Sequence, residues 1–257
     1  MRLRLWMLRA ILAVRPASLG ALAKRLLGIR RTTIDTGHGR YWIDPASNLG
    51  YALLANGDYE PKMRAALRVY LKPGGVFVDL GANEGYFTVQ AAALAGPAGR
   101  VFAVEPQTRL LPIIAENLRL NGCAGVTVVP EAVSDRIGRA ALHLCPDVNS
   151  GGSGLARTTR YRVPTETVPT VTLADIFARF GIESADLTKI DIEGYEYEAG
   201  LGSPRIFEQG KVRALALELH PLQLAARGRS PDAIHAFLKS CGYRQSPDFG
   251  GAVWLAP

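Results

Sequence analysis

VFVDLGANEGYFTV, residues 76–89, is the stretch from which the rest of the chain can be read. A short apolar run ends in Asp79, passes two glycines four apart, Gly81 and Gly85, and continues into an apolar segment of helical character. That is the pattern of a buried strand, a tight turn and a helix. Glycines in such a turn let a ligand approach the backbone N–H groups of the helix N-terminus, with no Cβ in the way. In an open parallel sheet, ligands bind beyond the carboxyl ends of the strands, where the strand order reverses. Asp79 then lies beneath the loop, either fixing it through backbone N–H groups or facing a cationic part of the ligand.

Outward from this unit, strand-like and helix-like runs alternate. VFAVE (101–105), VTVVPEAV (126–133), LTKIDI (187–192) and VRALALEL (212–219) read as strands. Helices are expected near 86–95, 107–121, 195–201 and 231–241, the last capped by Ser230 with Pro231 at its first position. Such alternation implies an α/β domain, a mostly parallel sheet with helices on both faces. AALHL (140–144) and VPTVTLADI (168–176) are extra strands or a helix start, flanking the glycine-rich NSGGSG of 149–154. No internal repeat is present.

The net charge of +7 is concentrated at one end. Residues 1–31 hold eight of the 30 basic residues and no acid, leaving 22 basic against 23 acidic residues, a net of −1, for the remainder. The body therefore lacks the cationic surface that binding to a nucleic-acid backbone relies on. Arg9 interrupts the apolar stretch a signal peptide needs, and the arginines with Pro16 deny a membrane span its ~20 apolar residues. The leader reads instead as a basic, amphipathic helix pair lying on an anionic membrane or on its own domain, with Leu19, Leu22 and Leu26 on one face. We expect residues 1–56 to form this basic N-terminal helical or cap segment and residues 57–257 the domain. Cys123, Cys145 and Cys241 form no CxxC, which argues against a disulfide framework or zinc site and suits a reducing compartment. The expected localisation is cytoplasmic, with peripheral contact at the inner membrane surface as an option.

The second strand sharpens the ligand. Glu105, at the tip of VFAVEP, is placed to accept hydrogen bonds from ribose hydroxyls, so an adenosine cofactor is expected. The loop DLGANEG lacks the middle glycine of a G-x-G-x-x-G dinucleotide fingerprint, and no tyrosine is followed four residues later by lysine. S-Adenosylmethionine (SAM) has a zwitterionic amino-acid tail in place of a pyrophosphate, which an acid and a shorter glycine pair suit better.

VFVDLGANEGYFT, VFAVEPQTRLLPIIAENLRLNG, LTKIDIEGYEYEAGLG and ALALELHP, in that order, resemble the FkbM family of SAM-dependent methyltransferases over residues 57–245. The resemblance implies a Rossmann-like seven-stranded sheet with an antiparallel last strand, and O-methylation of small molecules, sugars, glycolipids or polyketide hydroxyls. It places Asp79, Gly81, Asn83 and Gly85 around the methionine part of SAM and Glu105 on the ribose. It brings EAVSD (131–135) to the adenine, with Asp135 at the amine and Ala132 or Val133 along the ring. GDYEP (57–61) matches the family's stretch ahead of the glycine loop, so Tyr59 and Glu60 are expected to close the cofactor site. Glu84 and Tyr86 receive no role.

Methyl transfer needs the acceptor oxygen in line with the methyl group, ~3 Å away, and a group to take its proton. KIDIEG offers Asp191 and Glu193 beyond the fourth strand, and ELHP offers Glu218 and His220 beyond the fifth. Asp191 or His220 is expected as base, with Glu193 positioning the hydroxyl. Lys189 and Glu218 form either a structural ion pair or part of the chemistry. Asp191, Glu193 and His220 are donor types that suit a divalent ion, but their spacing does not establish one and none is assigned. Asn149, Ser150 and Ser153 suit a sugar, and Arg157, Arg160 and Arg162 a phosphate or carboxylate on the acceptor. The expected partner is a small-molecule or carbohydrate acceptor and no nucleic acid. The alternatives are N-methylation, a nucleic-acid methyltransferase, and a SAM-binding but non-catalytic membrane-surface module.

Overall fold

The computed structural model describes residues 2–156 and 163–257. Its centre is a seven-stranded sheet of β1 (Val76–Leu80), β2 (Arg100–Val104), β3 (Thr127–Val129), β4 (Leu187–Ile190), β5 (Ala214–Leu217), β6 (Arg244–Gln245) and β7 (Val253–Leu255). The spatial order is β6-β7-β5-β4-β1-β2-β3, with β7 antiparallel to both of its neighbours. The order reverses at β1, which pairs in parallel with β2 on one side and β4 on the other. Strand order thus opens a crevice at the carboxyl ends of β1 and β4, directly above Leu80 and Ile190.

Both faces of the sheet are covered, as near-continuous apolar strands require. Alternation sends Phe77, Val101 and Leu187 to one side and Val78, Leu80, Val104 and Ile190 to the other. The first side packs against α4 (Pro61–Tyr70), α5 (Tyr86–Ala95) and α6 (Leu111–Leu120) through Leu67, Phe87 and Ile114. The second side meets α7 (Leu173–Arg179), α8 (Glu196–Leu201), α9 (Pro204–Glu208), α10 (Pro221–Ala226) and α11 (Pro231–Ser240) through Ile176, Ala199, Phe207, Leu224 and Leu238. Ser230 caps α11 by accepting from Asp232 N, with Pro231 at its start.

Two expectations from the sequence change. VTVVPEAV is not one strand: Pro130 has no N–H to donate, and the chain breaks there between β3 and a short strand Ala132–Val133. That short strand joins Gly138–His143 and Thr165–Val171 in a separate three-stranded sheet. The fifteen-residue helix expected from 107 is shorter, because Gln107–Leu110 form a turn before α6. NSGGSG lies largely within a 3₁₀ segment, Asp147–Gly152, interrupted by non-helical backbone at Asn149. Arg157, Arg160 and Arg162 lie outside the described residues.

The leader forms a helix pair, α1 (Arg2–Ala13) and α2 (Ala17–Leu26), followed by a small hairpin and α3 (Asn48–Asn56). Leu8 and Ile11 are buried against Ala46 and Val148. Lys24 pairs with Asp44, and Arg31 grips the buried Glu84 through two hydrogen bonds of 2.9 Å each. Among the described residues, no helix is long and apolar enough to cross a membrane.

Candidate active site

The turn after β1 is held from below. Gly81 N and Ala82 N both donate to Val104 O, at 3.0 and 3.1 Å. Gly81 (φ +84°), Asn83 (φ +50°) and Gly85 (φ +79°) are all left-handed, a conformation that disfavours a Cβ. Asn83 N then donates to Glu105 Oε2 at 2.8 Å, and Gln107 N to Glu105 Oε1 at 3.0 Å. Glu105 therefore lashes the two turns together, with each oxygen already accepting one backbone donor. Burial pushes its carboxyl up to about 7, against the opposing pull of Gln107 and Asn83.

Above these turns lies a cavity lined by Gly81, Asn83, Glu105, Ala132, Val133 and Tyr195. It combines an open glycine backbone, an acid at the end of β2 and a small apolar wall. Those features suit a nucleoside carrying a charged tail, and a Cβ at Gly81 would collide with the Asp191 carbonyl oxygen beside the cavity. Gly81, Asn83 and Glu105 thus line one cavity, while Gly85, absent from its lining, is the N-cap of α5.

Three other expected cofactor residues stand elsewhere. Asp79 is fully buried under the loop; among the described residues it fixes no backbone N–H but accepts from the Thr88 hydroxyl at 2.7 Å. Its Oδ1 has no hydrogen-bond partner among the described residues and lies 4.0 Å from Lys189 Nζ. Asp135 does not reach the cavity: pairing of Ala132–Val133 with Thr170 and Val171 carries the chain past it, leaving Asp135 beside Ser134 and Arg136. Ala132, Val133 and Glu131 line the cavity wall. Glu60 lines the next cavity along, with Tyr59, Asp191, Glu193, Glu218 and His220.

That second cavity is polar and holds the candidate chemistry. Lys189 Nζ donates to Asp191 Oδ2 at 2.8 Å, so the buried lysine pairs with Asp191 and Asp79; no ion pair with Glu218 is formed among the described residues. Burial opposes the lysine charge, yet the surrounding carboxylates hold its pKa above the ordinary value. His220 Nδ1 lies 2.8 Å from Glu196 Oε1, and Glu196 is buried at the start of α8. His220 Nε2 faces Glu193 Oε2 at 3.6 Å and Asp191 Oδ1 at 3.7 Å. Burial disfavours the imidazolium, but Glu196, Glu193 and Asp191 outweigh it and push the ring up to about 9. Glu193 moves to about 7, because burial and Asp191 raise it more than His220 lowers it. Asp191, Glu193 and His220 each offer one ligand atom within 4.8 Å of the others, a spacing that could also hold a divalent cation.

Among the described residues, the non-glycine residues with positive φ are Glu60, Asn83 and Glu193, at +46°, +50° and +53°. All three border this second cavity. Each such residue costs on the order of 1–3 kcal/mol and persists only where its surroundings enforce it. Sequence reasoning did not foresee this, nor the roles of Glu196 and Glu84. Glu196 had a visible signal, since it follows Glu193 by three residues in EGYE. Of the three residues read as suiting a sugar, Asn149 and Ser150 line the polar cavity and Ser153 lines the first cavity instead. Beyond Glu60 and Glu218 a third, apolar groove continues along Met63, Ala66, Leu217, Phe249 and Val253.

A family model described as the methyltransferase FkbM domain matches residues 79–245. Comparison of the sequence with curated proteins finds no match. Among solved structures, precorrin-6y C5,15-methyltransferase from Geobacter metallireducens GS-15 is similar at 17% identity over 71% of each chain, with a TM-score of 0.42. Fibrillarin from Aeropyrum pernix, solved with natively bound S-adenosyl-L-methionine, is similar at 12% identity over 75% of this chain and 73% of its own, with a TM-score of 0.41. A candidate rRNA-methylase from Clostridium thermocellum matches at 26% identity over 28% of this chain and 39% of its own, with a TM-score of 0.27.

Proposed function

The chain belongs to the FkbM methyltransferase family, with S-adenosylmethionine as its cofactor, and from that premise we propose that it methylates a hydroxyl oxygen on a small molecule, a sugar or a glycolipid. One observation carries the reading: the cofactor cavity and the polar cavity share Asn83, Gly151, Asp191 and Glu193. An acceptor held in the second cavity would therefore face a cofactor held in the first, across the ends of β1 and β4. The cofactor, when bound, supplies a sulfonium-activated methyl group. The protein's task is alignment and removal of one proton.

Glu193 is the best-suited base. Its carboxyl, at about 7, is poised between its two states at neutral pH, as an efficient proton acceptor must be. His220, at about 9, carries its proton at neutral pH and cannot accept another. It is better suited to hold Glu193 and Asp191 in place while itself anchored by Glu196. Asp191 is committed to Lys189 and orients the acceptor. This inverts the roles expected from sequence, where Asp191 or His220 was the base. Asn149 and Ser150 supply hydrogen bonds for hydroxyl-rich acceptors, and the groove beyond Glu60 gives room for an apolar portion.

The test is incubation with methyl-labelled S-adenosylmethionine and cell extract, resolved into carbohydrate, lipid and small-molecule fractions. Label should enter one fraction in an alkali-stable ether linkage. Glu193→Gln should stop labelling while calorimetry still detects cofactor binding. Transfer by that variant at the wild-type rate would remove Glu193 from the mechanism.

A further inference from the structure

Of the helix pair at the start of the chain, α1 packs inward through Leu8 and Ile11, whereas α2 is docked with its leucine stripe outward. Inward, Gly20 of α2 packs so tightly on α1 that a Cβ there would lie 2.7 Å from Ile11 O, and Lys24 reaches Asp44. At ~100° per residue, Leu19, Leu22 and Leu26 fall within about 60° of one another, on the side away from Lys24. They are 51%, 51% and 79% exposed; Leu27 is 56% exposed and Trp6, on α1, 70%. An amphipathic helix of a soluble domain ordinarily buries that stripe. On α2 the stripe has been left to the surroundings, while Ala17, Gly20, Ala21 and Lys24 make its internal contacts.

The charge around the stripe says what those surroundings are. Arg9, Arg15, Arg25 and Arg30 are exposed, none makes an ion pair among the described residues, and residues 1–31 contain no acid. A second copy seated on this face would bring two sets of arginines together with nothing in the segment to neutralise them. A nucleic acid would meet the arginines but leave the leucines and Trp6 without a partner. A lipid surface with anionic headgroups satisfies both, taking the leucines and the indole into its interface and the guanidinium groups among its phosphates.

We infer that α1 and α2 form a docking site for an anionic bilayer surface. This goes beyond the methyl-transfer reading and does not depend on it. The site adjoins the acceptor side of the molecule: Ala21, Leu22, Lys24 and Arg25 border a hollow with Asp147, the first residue of the segment whose Asn149 and Ser150 line the polar cavity. Docking would hold that cavity close to the membrane plane.

Sedimentation of the full chain with vesicles is the test, comparing phosphatidylcholine alone with an equimolar phosphatidylcholine–phosphatidylglycerol mixture. The full chain should bind the mixed vesicles at least tenfold more tightly at low salt and release them as salt rises. The double variant Leu22→Glu and Leu26→Glu, altered only at exposed positions, should lose vesicle binding and keep cofactor affinity. Binding should also shift the indole emission to the blue, a change that Trp6→Phe removes. Equal sedimentation of the double variant, or no sedimentation with either vesicle, overturns the proposal. So does a dimer detected by light scattering that the double variant dissolves, since a second copy would then cover the stripe.

Discussion

Gly81 and Asp191 stand so close that a Cβ on Gly81 would lie 1.9 Å from the carbonyl oxygen of Asp191. The cofactor turn after β1 and the acid-bearing end of β4 are thus pressed backbone to backbone. Gly81→Ala must separate them and force alanine to φ +84° as well. We expect it to lower cofactor affinity at least tenfold, about 1.4 kcal/mol, in calorimetric titration. Unaltered affinity in a folded variant would show that the contact is dispensable.

Glu105→Gln tests the lashing between the two turns. An amide has one acceptor oxygen where the carboxylate has two, so either Asn83 N or Gln107 N would meet an NH₂ group. A buried donor left unpaired costs about 1–3 kcal/mol, and the unfolding midpoint in urea should fall accordingly. Cofactor affinity should fall with it, because Asn83 lines the cavity.

The pH dependence of activity and of stability should run in opposite directions. Glu193 titrates near 7 in the folded chain against 4.5 ordinarily, so transfer should rise with pH through about 7 as its carboxylate forms. Glu193→Gln should remove that limb. Glu105 is raised to about 7 as well. For a carboxyl raised by folding, the native state keeps a proton that the unfolded chain has released, so stability is greatest below 4.5 and declines as pH climbs to about 7. For the fully buried Glu105 the loss amounts to about 3 kcal/mol at most. Thermal melts from pH 5 to 8 that rise with pH would contradict both shifts.

His220→Ala would leave Glu196, a fully buried carboxylate, without its imidazole partner. Stranding one member of a buried pair costs roughly 3–5 kcal/mol. His220→Asn, whose amide can still donate to Glu196, should recover part of this in urea unfolding without restoring transfer. A loss below about 1 kcal/mol for the alanine variant would mean that Glu196 finds another partner.

Asp135→Ala should leave cofactor affinity within about twofold of the parent, because its side chain stands clear of the cavity. Val133→Glu, which sends a charge into the apolar wall, should lower affinity at least tenfold. The reverse pattern would return the adenine contact to Asp135.

The five parallel core strands were legible because each is a short apolar run buried on both faces, and the cofactor turn because Gly81 and Gly85 punctuate it. Glu105, Asp191, Glu193 and His220 were legible as acids or imidazole at strand ends. What escaped was set by geometry across the chain. The break at Pro130 moved Asp135 off the cavity, although the composition of VTVVPEAV argues for one strand. The order of proton affinities in the polar cavity depends on Glu196 reaching His220 across 24 positions, which no local pattern reveals. The pairing of Lys189 with Asp191 rather than Glu218 was decided by which side chain stands nearer the lysine in the crevice, something spacing alone left open.

The grip of Arg31 on Glu84 makes the front of the chain a splint for the glycine bend after β1. Glu84 sits between Asn83 and Gly85, its side chain is 1% exposed, and the guanidinium of Arg31 is its only ion-pair partner among the described residues. A protein trimmed to begin after position 31 would keep every residue that lines the two cavities, yet would bury an unanswered negative charge inside the bend itself. Trimming is therefore a poor way to separate where the enzyme rests from what it holds.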